Sequence, residues 1–221
     1  MRKVNKMESF NKFNFHIVEK ELYYNGEVIV KYSIEYPEII VSTFDVGSKI
    51  FNQYNKQIAL QLKEFAQGEF YKQAKETYKY NKENGYPIMV YELIRNCNVT
   101  YNFKSLINMY FDEYTFTGGA HGNTLRKSQT WNLEIGCQIP LKAFFLQNEY
   151  YQIDIVKQIN KQIQKQIEEG NDIYFPDYCQ LVFETFRLEN YYLVSNGIVI
   201  FFQQYDIAPY SSGIRTFLLE K

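Results

Sequence analysis

His16 and His121 are the chain's whole supply of imidazole, so any histidine-based proton transfer must use one of them. His121 lies in Thr117-Gly118-Gly119-Ala120-His121-Gly122-Asn123, directly after Tyr114-Thr115-Phe116. Three glycines in five residues let a backbone take left-handed torsions and come close to something. His121 and Asn123 then carry polar side chains in a tightly shaped loop. Such a loop suits contact with a ligand or partner, through backbone N–H groups and the imidazole. The plainer reading is a connection between two strands, with His121 bonded to a neighbouring backbone group. A second segment, Tyr205-Asp206-Ile207-Ala208-Pro209-Tyr210-Ser211-Ser212-Gly213, sets two tyrosines around a proline-fixed turn. Asp206 can bond nearby backbone amides there, and a rigid corner between strands is again the plainer alternative. The candidate binding residues are Tyr114, Thr117, Gly118, Gly119, His121, Asn123, Tyr205, Asp206, Pro209 and Tyr210.

No set of catalytic residues is complete. The phosphate-binding, dinucleotide-binding, zinc-protease and nucleophile-elbow signatures are missing from the sequence. A zinc site needs at least three protein ligands, and no local His/Cys/Asp cluster supplies them. Cys97, Cys137 and Cys179 stand far apart, and an odd count cannot close fully into disulfides. Each is expected to be a small core residue. Asp112 and Glu113 are adjacent on a predicted strand, so they point to opposite faces and form no carboxylate pair. Glu168 and Glu169 read as solvated charge at a helix end. No metal, cofactor or catalytic residue is expected. The competing enzyme reading makes His121 the acid/base, assisted by Asp112, Glu113 or Asp206.

Two loops need elements to hold them. Residues 16–24 alternate weakly, Asn25-Gly26 makes a hairpin turn, and residues 27–36 put Val28, Val30, Tyr32 and Ile34 on one face, with Pro37 ending the strand. Residues 48–84 carry the longest helical signal, with Phe51, Tyr54, Ile58, Leu62 and Phe65 recurring at three and four residues. Asp45 or Ser48 is expected to cap it, Gly68 to mark a break, and Asn84-Gly85 before Pro87 to stop it. Residues 88–116 are strand-rich, with Val90, Glu92 and Ile94 beginning one run, a turn at 102–105 and a second run at 106–116. With a third run at 128–135 they read as an antiparallel meander packed on this helix. A second helix covers residues 149–169, with Ile153, Val156, Ile159, Ile163 and Ile167 on one side. Residues 183–194 and 198–203 read as a hairpin, and 215–219 as a last strand. The fold class is α+β, in two closely packed units, each an antiparallel sheet with one main helix. The expected division is 1–13 flexible, 14–135 first unit and 136–221 second unit.

Lys plus Arg is 24 and Asp plus Glu is 25, a net charge of −1, which argues against nucleic acid as a partner because that needs a clustered basic footprint. The one lopsided stretch, Arg2, Lys3, Lys6 and Lys12 against Glu8, reads as a frayed terminus. No stretch approaches the roughly 18 apolar residues of a membrane span. The first 30 residues lack the apolar centre of a signal peptide. The protein is then expected to be either cytosolic, or exported or anchored by a segment outside this sequence. The 21 Tyr and 18 Phe would suit a binding surface, but the base bias of an AT-rich genome is the main cause of that count.

YSIEYP at residues 32–37, the long helix, TFTGGAHGN at 115–123, WNLEIGCQIPLKAFF at 131–145 and YDIAPYSSG at 205–213 occur in this order. Together they resemble the paired domains of the extracellular region of RsiV-type anti-sigma factors, over about residues 14–219. The first domain also resembles the module that precedes the catalytic domain of some peptidoglycan deacetylases. The resemblance implies two helix-on-sheet units, an extracytoplasmic setting at the Gram-positive envelope, and direct binding of lysozyme. Gly118, Gly119, His121, Tyr205, Pro209, Tyr210 and Gly213 match motif positions, and the family has no catalytic residues to carry over. The sigma-binding segment and membrane helix of RsiV-type proteins are missing here, so anti-sigma activity is not implied. The expected function is a non-catalytic binding module whose partner is a lysozyme-type muramidase or cell-wall glycan. The alternative is an enzyme, or a regulatory domain of one, acting on peptidoglycan with His121 as acid/base. A cytosolic relative with a purely structural role is a third reading.

Overall fold

The computed structural model describes residues 10–220. Arg2, Lys3, Lys6 and Glu8 of the lopsided start lie outside the described residues, whereas Lys12 opens the first strand. Strands β1 (Lys12–Tyr24) and β2 (Glu27–Val41) form the expected hairpin. Asn25 (φ 50°) and Gly26 (φ 83°) both take left-handed torsions at its turn, the twist that a two-residue hairpin loop needs. Pro37 does not end β2. The strand runs on to Val41, with Phe15 opposite Pro37. Past Ile34, β2 pairs with β1 alone, so one edge carries no ladder and a residue without an N–H fits.

The long helical signal becomes α1 (Asp45–Phe65), a π-helical turn at Ala66–Phe70 containing Gly68, and α2 (Tyr71–Asn84). Its buried stripe is Phe51, Ala59, Ala66, Phe70, Ala74 and Tyr78, while Tyr54 and Phe65 lie outside it, about two-fifths exposed. Burying a phenylalanine such as Phe51 contributes about 1.5–3 kcal/mol. Neither Asp45 nor Ser48 caps the helix. Phe44 is the first flanking residue and makes no side-chain cap bond. The Ser48 hydroxyl is buried with no hydrogen-bond partner. The stop does fall at Gly85, whose left-handed φ of 71° ends the helix.

This helical run carries the chain over the sheet, so β2 pairs parallel with β3 (Tyr91–Phe103), from Val30↔Tyr91 to Ile34↔Arg95. The other pairs are antiparallel: β3 with β4 (Leu106–Phe116), β4 with β5 (Asn123–Asn132), and β5 with β6 (Cys137–Gln138). β5 starts five residues earlier than the expected 128, because Asn123 already pairs with Thr115. One face of the sheet packs on α1 and α2. There Trp131 meets the rings of Phe51 and Tyr54 edge-on at 5.5 and 5.3 Å.

The second unit holds α3 (Tyr151–Glu168), α4 (Tyr178–Thr185), and a three-stranded antiparallel sheet of β7 (Tyr191–Val194), β8 (Gly197–Phe202) and β9 (Arg215–Glu220). In α3 the buried stripe is Tyr151, Ile155, Ile159 and Ile163, and Ile153 is exposed. Residues 183–190 are not strand: Thr185 ends α4, which buries Val182 and leaves Phe183 exposed. A short apolar run fits helix and strand equally by periodicity, and the core decided here. β7 packs across β3, β4 and β5 on the sheet face opposite α1, with the Tyr192 ring 5.1 Å from that of Tyr110. The cysteines differ from expectation: Cys137 and Cys179 are exposed and only Cys97 is partly buried. Burial pushes the Cys97 thiol up to about 12. No helix among the described residues is long and apolar enough to cross a membrane.

Candidate functional site

The β4–β5 connection, residues 117–122, uses its glycines for two different reasons. Gly118 (φ 96°) and Gly119 (φ 92°) take left-handed torsions. Gly122 instead makes room: a Cβ there would lie 2.3 Å from the Tyr114 ring. Tyr114 thus closes over Gly122 from the end of β4. Thr117, Gly119, His121 and Asn123 are exposed around it.

The connection after β8 is held by its own side chain. Asp206 Oδ2 accepts from Gln203 N at 2.7 Å, and Ile207 and Ala208 bury beneath the turn. Tyr205 has φ 68°, a region that costs a bulky residue strain. Pro209 is exposed and precedes a 3-10 turn, Tyr210–Ser212.

The two loops meet. The His121 ring stacks on Tyr210 with centroids 3.8 Å apart and planes 18° from parallel. Tyr205 lies 5.8 Å from Tyr210, ring to ring, and its hydroxyl is 3.5 Å from His121 Nε2. His121 Nδ1 lies 2.9 Å from the Gly122 carbonyl, which can only accept, so Nδ1 carries a proton. In the neutral ring Nε2 is then the acceptor facing Tyr205.

Residues outside both motifs fasten this corner. Gln203 acts as one rung of a ladder along β5: its Oε1 accepts from Arg126 N at 3.0 Å and its Nε2 donates to Arg126 O at 2.7 Å. Gln204 Oε1 accepts from Thr124 N at 3.0 Å. Both close the edge of β5 that faces away from β4. The Arg126 guanidinium binds Asp112 through two 2.7 Å bonds and lies 3.8 Å over the Tyr110 ring. Sequence reasoning missed Gln203, Gln204 and Arg126, since a glutamine pair after a strand has no local signature.

The carboxylates that the enzyme reading assigned to His121 are engaged elsewhere. Asp112 holds Arg126, Glu113 holds Arg95 and Lys127, and Asp206 holds the Gln203 amide. The hydrogen bonds of His121 go to a carbonyl and a phenol. The arrangement can present aromatic rings and an imidazole edge to a partner.

Burial pushes the Asp206 carboxyl above its ordinary value, against the opposing bond from Gln203 N. A raised folded-state pKa means that the group's stabilising contribution is present below the ordinary aspartate value of about 4. It is lost as pH rises through the folded value. Asp206→Asn keeps an oxygen acceptor without the charge. It is expected to melt higher than the unaltered protein at pH 7, and the difference should vanish as the pH falls below about 4 in paired thermal scans.

Residues 24–124 match the family model described as deacetylase PdaC, and residues 142–221 match that described as a protein of unknown function, DUF3298. None of the curated proteins compared matches the chain. A crystal structure of a DUF3298 family member from Bacteroides fragilis superposes with a TM-score of 0.68 at 16% identity, covering 96% of this chain and 91% of that one. A DUF3298 family protein from Pseudomonas aeruginosa gives a TM-score of 0.57 at 14% identity, covering 96% and 93%. At these identities the likeness speaks for the fold, two packed units of mixed helix and sheet. The chain thus carries a PdaC domain followed by a DUF3298 domain.

Proposed function

We propose that the chain is a non-catalytic recognition module of the bacterial cell envelope, and that the corner built from Tyr114, His121, Tyr205 and Tyr210 is its contact surface. Its partner is a lysozyme-type muramidase or cell-wall glycan. The observation that carries this reading is Tyr205, a bulky ring kept at φ 68° and 55% exposed beside the His121–Tyr210 stack. A purely structural corner would place glycine or asparagine there, because such a torsion costs a bulky residue roughly 1–3 kcal/mol. Rigid tyrosines offer contact area at low entropy cost. The resemblance to the RsiV-type extracellular region supports the choice of partners and the extracytoplasmic setting.

Calorimetric titration with lysozyme and, separately, with soluble muropeptides tests the reading and tells the partners apart. One of the two is expected to give saturable heat. Tyr205→Gly is expected to weaken that binding at least about thirtyfold, the loss of an aromatic hot spot, while the melting temperature holds or rises as strain is relieved. Heat-silent titrations with both partners would end the proposal. So would turnover of a wall-derived substrate that His121→Ala abolishes.

A further inference from the structure

The corner closes one end of the seam between the two units. At the other end the β3–β4 turn meets the β7–β8 turn and α3, and the packing there leaves a partly open pocket of about 360 Å³. Tyr101 and Leu106 come to it from the first unit, and Phe144, Leu193 and Leu219 from the second. Gln158, an exposed residue of α3, adds a side-chain amide, and no charged side chain lines the space. Gly197 also borders it and cannot fill it, because a Cβ there would lie 2.4 Å from the Leu219 carbonyl oxygen.

Protein interiors hold few voids larger than a water molecule. An apolar cavity of about 150 Å³ already takes a benzene. This pocket is over twice that size, lies between two units and falls in the range of small-molecule pockets, roughly 300–1,000 Å³. We propose that it binds a neutral, compact apolar molecule of about two fused rings, carrying one hydrogen-bonding group that meets Gln158. Lack of charge in the walls sets the neutrality, and the Tyr101 and Phe144 rings favour an aromatic guest. The site is separate from the corner, on the order of 35 Å away along β4.

The probe is 2-naphthol, titrated into the full chain with its fluorescence and the methyl NMR shifts of Leu106, Leu193 and Leu219 recorded together. Saturable binding is expected with a Kd of about 0.1 mM or tighter, with shifts at those methyls. Leu106→Trp, which fills the space from its rim, should weaken binding at least about tenfold. If that variant does not fold, Gln158→Leu decides. It should weaken 2-naphthol several-fold and leave naphthalene unchanged. No saturation up to the probe's solubility limit overturns the proposal. Methyl shifts elsewhere, a folded Leu106→Trp that binds as before, or equal effects of Gln158→Leu on both probes overturn it too.

Discussion

Replacing Arg95 by methionine is expected to lower the stability by about 3–5 kcal/mol in urea or guanidinium denaturation. The Arg95 side chain is 2% exposed, stands 3.7 Å over the Phe111 ring, and donates to Glu113 Oε1 at 3.3 Å and to the Glu35 carbonyl at 3.0 Å. It sits where the parallel ladder stops, because Ile34↔Arg95 is the last pair of β2 and β3. Beyond that point side chains replace the rungs: the Arg95 guanidinium reaches the Glu35 carbonyl, and the Glu35 carboxylate accepts from Cys97 N at 2.7 Å. Burial lowers the Arg95 pKa, and the Glu113 charge opposes that shift. Methionine restores the volume but leaves Glu113 with Lys127 alone and the Glu35 carbonyl without its donor. The buried pair need not itself be a net gain, since replacing both partners by apolar groups is often neutral or better. The double variant Arg95→Met with Glu113→Leu is therefore expected to recover most of the loss. A single variant within about 0.5 kcal/mol of the unaltered protein would contradict this account.

Gly47→Ala is the second large effect, and here two magnitudes compete. Gly47 lies in the first turn of α1 and has no left-handed torsion, so helix propensity alone favours alanine by about 1 kcal/mol. Packing says the opposite. A Cβ on Gly47 would lie 1.9 Å from the Leu133 carbonyl oxygen and 2.6 Å from its carbon. That neighbour is backbone, and Leu133 is anchored by its own N–H to the Ser105 carbonyl at 2.8 Å, so it cannot swing aside. The helix must lift from the sheet and open the contacts of Phe51 with Trp131. Overpacking of this kind costs about 1–3 kcal/mol and sometimes more, and a clash with fixed backbone belongs at the upper end. The expected result is a net loss of about 2 kcal/mol by thermal or chemical unfolding, the overpacking cost less the propensity gain. A gain would mean that α1 and the residue 133 region move apart freely.

Gly47 and Arg95 also mark what could not be read beforehand. In sequence, Gly47 is an indifferent residue near a helix start, and Arg95 is a charge inside an alternating run. The significance of each comes from a segment distant along the chain: Leu133 for one, Glu35 and Glu113 for the other. Gln203 and Arg126 belong to the same class, 77 residues apart and joined by two hydrogen bonds. The corner itself was half legible. Glycine spacing and the proline-flanked tyrosines picked out both loops, because torsional demands are local. That His121 stacks on Tyr210 and faces Tyr205 followed only from how the second unit sits on β4 and β5.

By itself the sequence determined the α+β class, the opening hairpin, the long helix with its stop at Gly85, the last hairpin turn and the two loops. Each rests on short-range physics: period, turn torsion and capping reach only a few residues. The tertiary structure alone decided that β2 and β3 run parallel, that residues 178–185 are helix, that Pro37 lies within a strand and that Cys137 and Cys179 face outward. These outcomes depend on which apolar surface is available to bury and which ladder edge is free. Both are set by contacts between distant segments, and a local pattern carries no information about them.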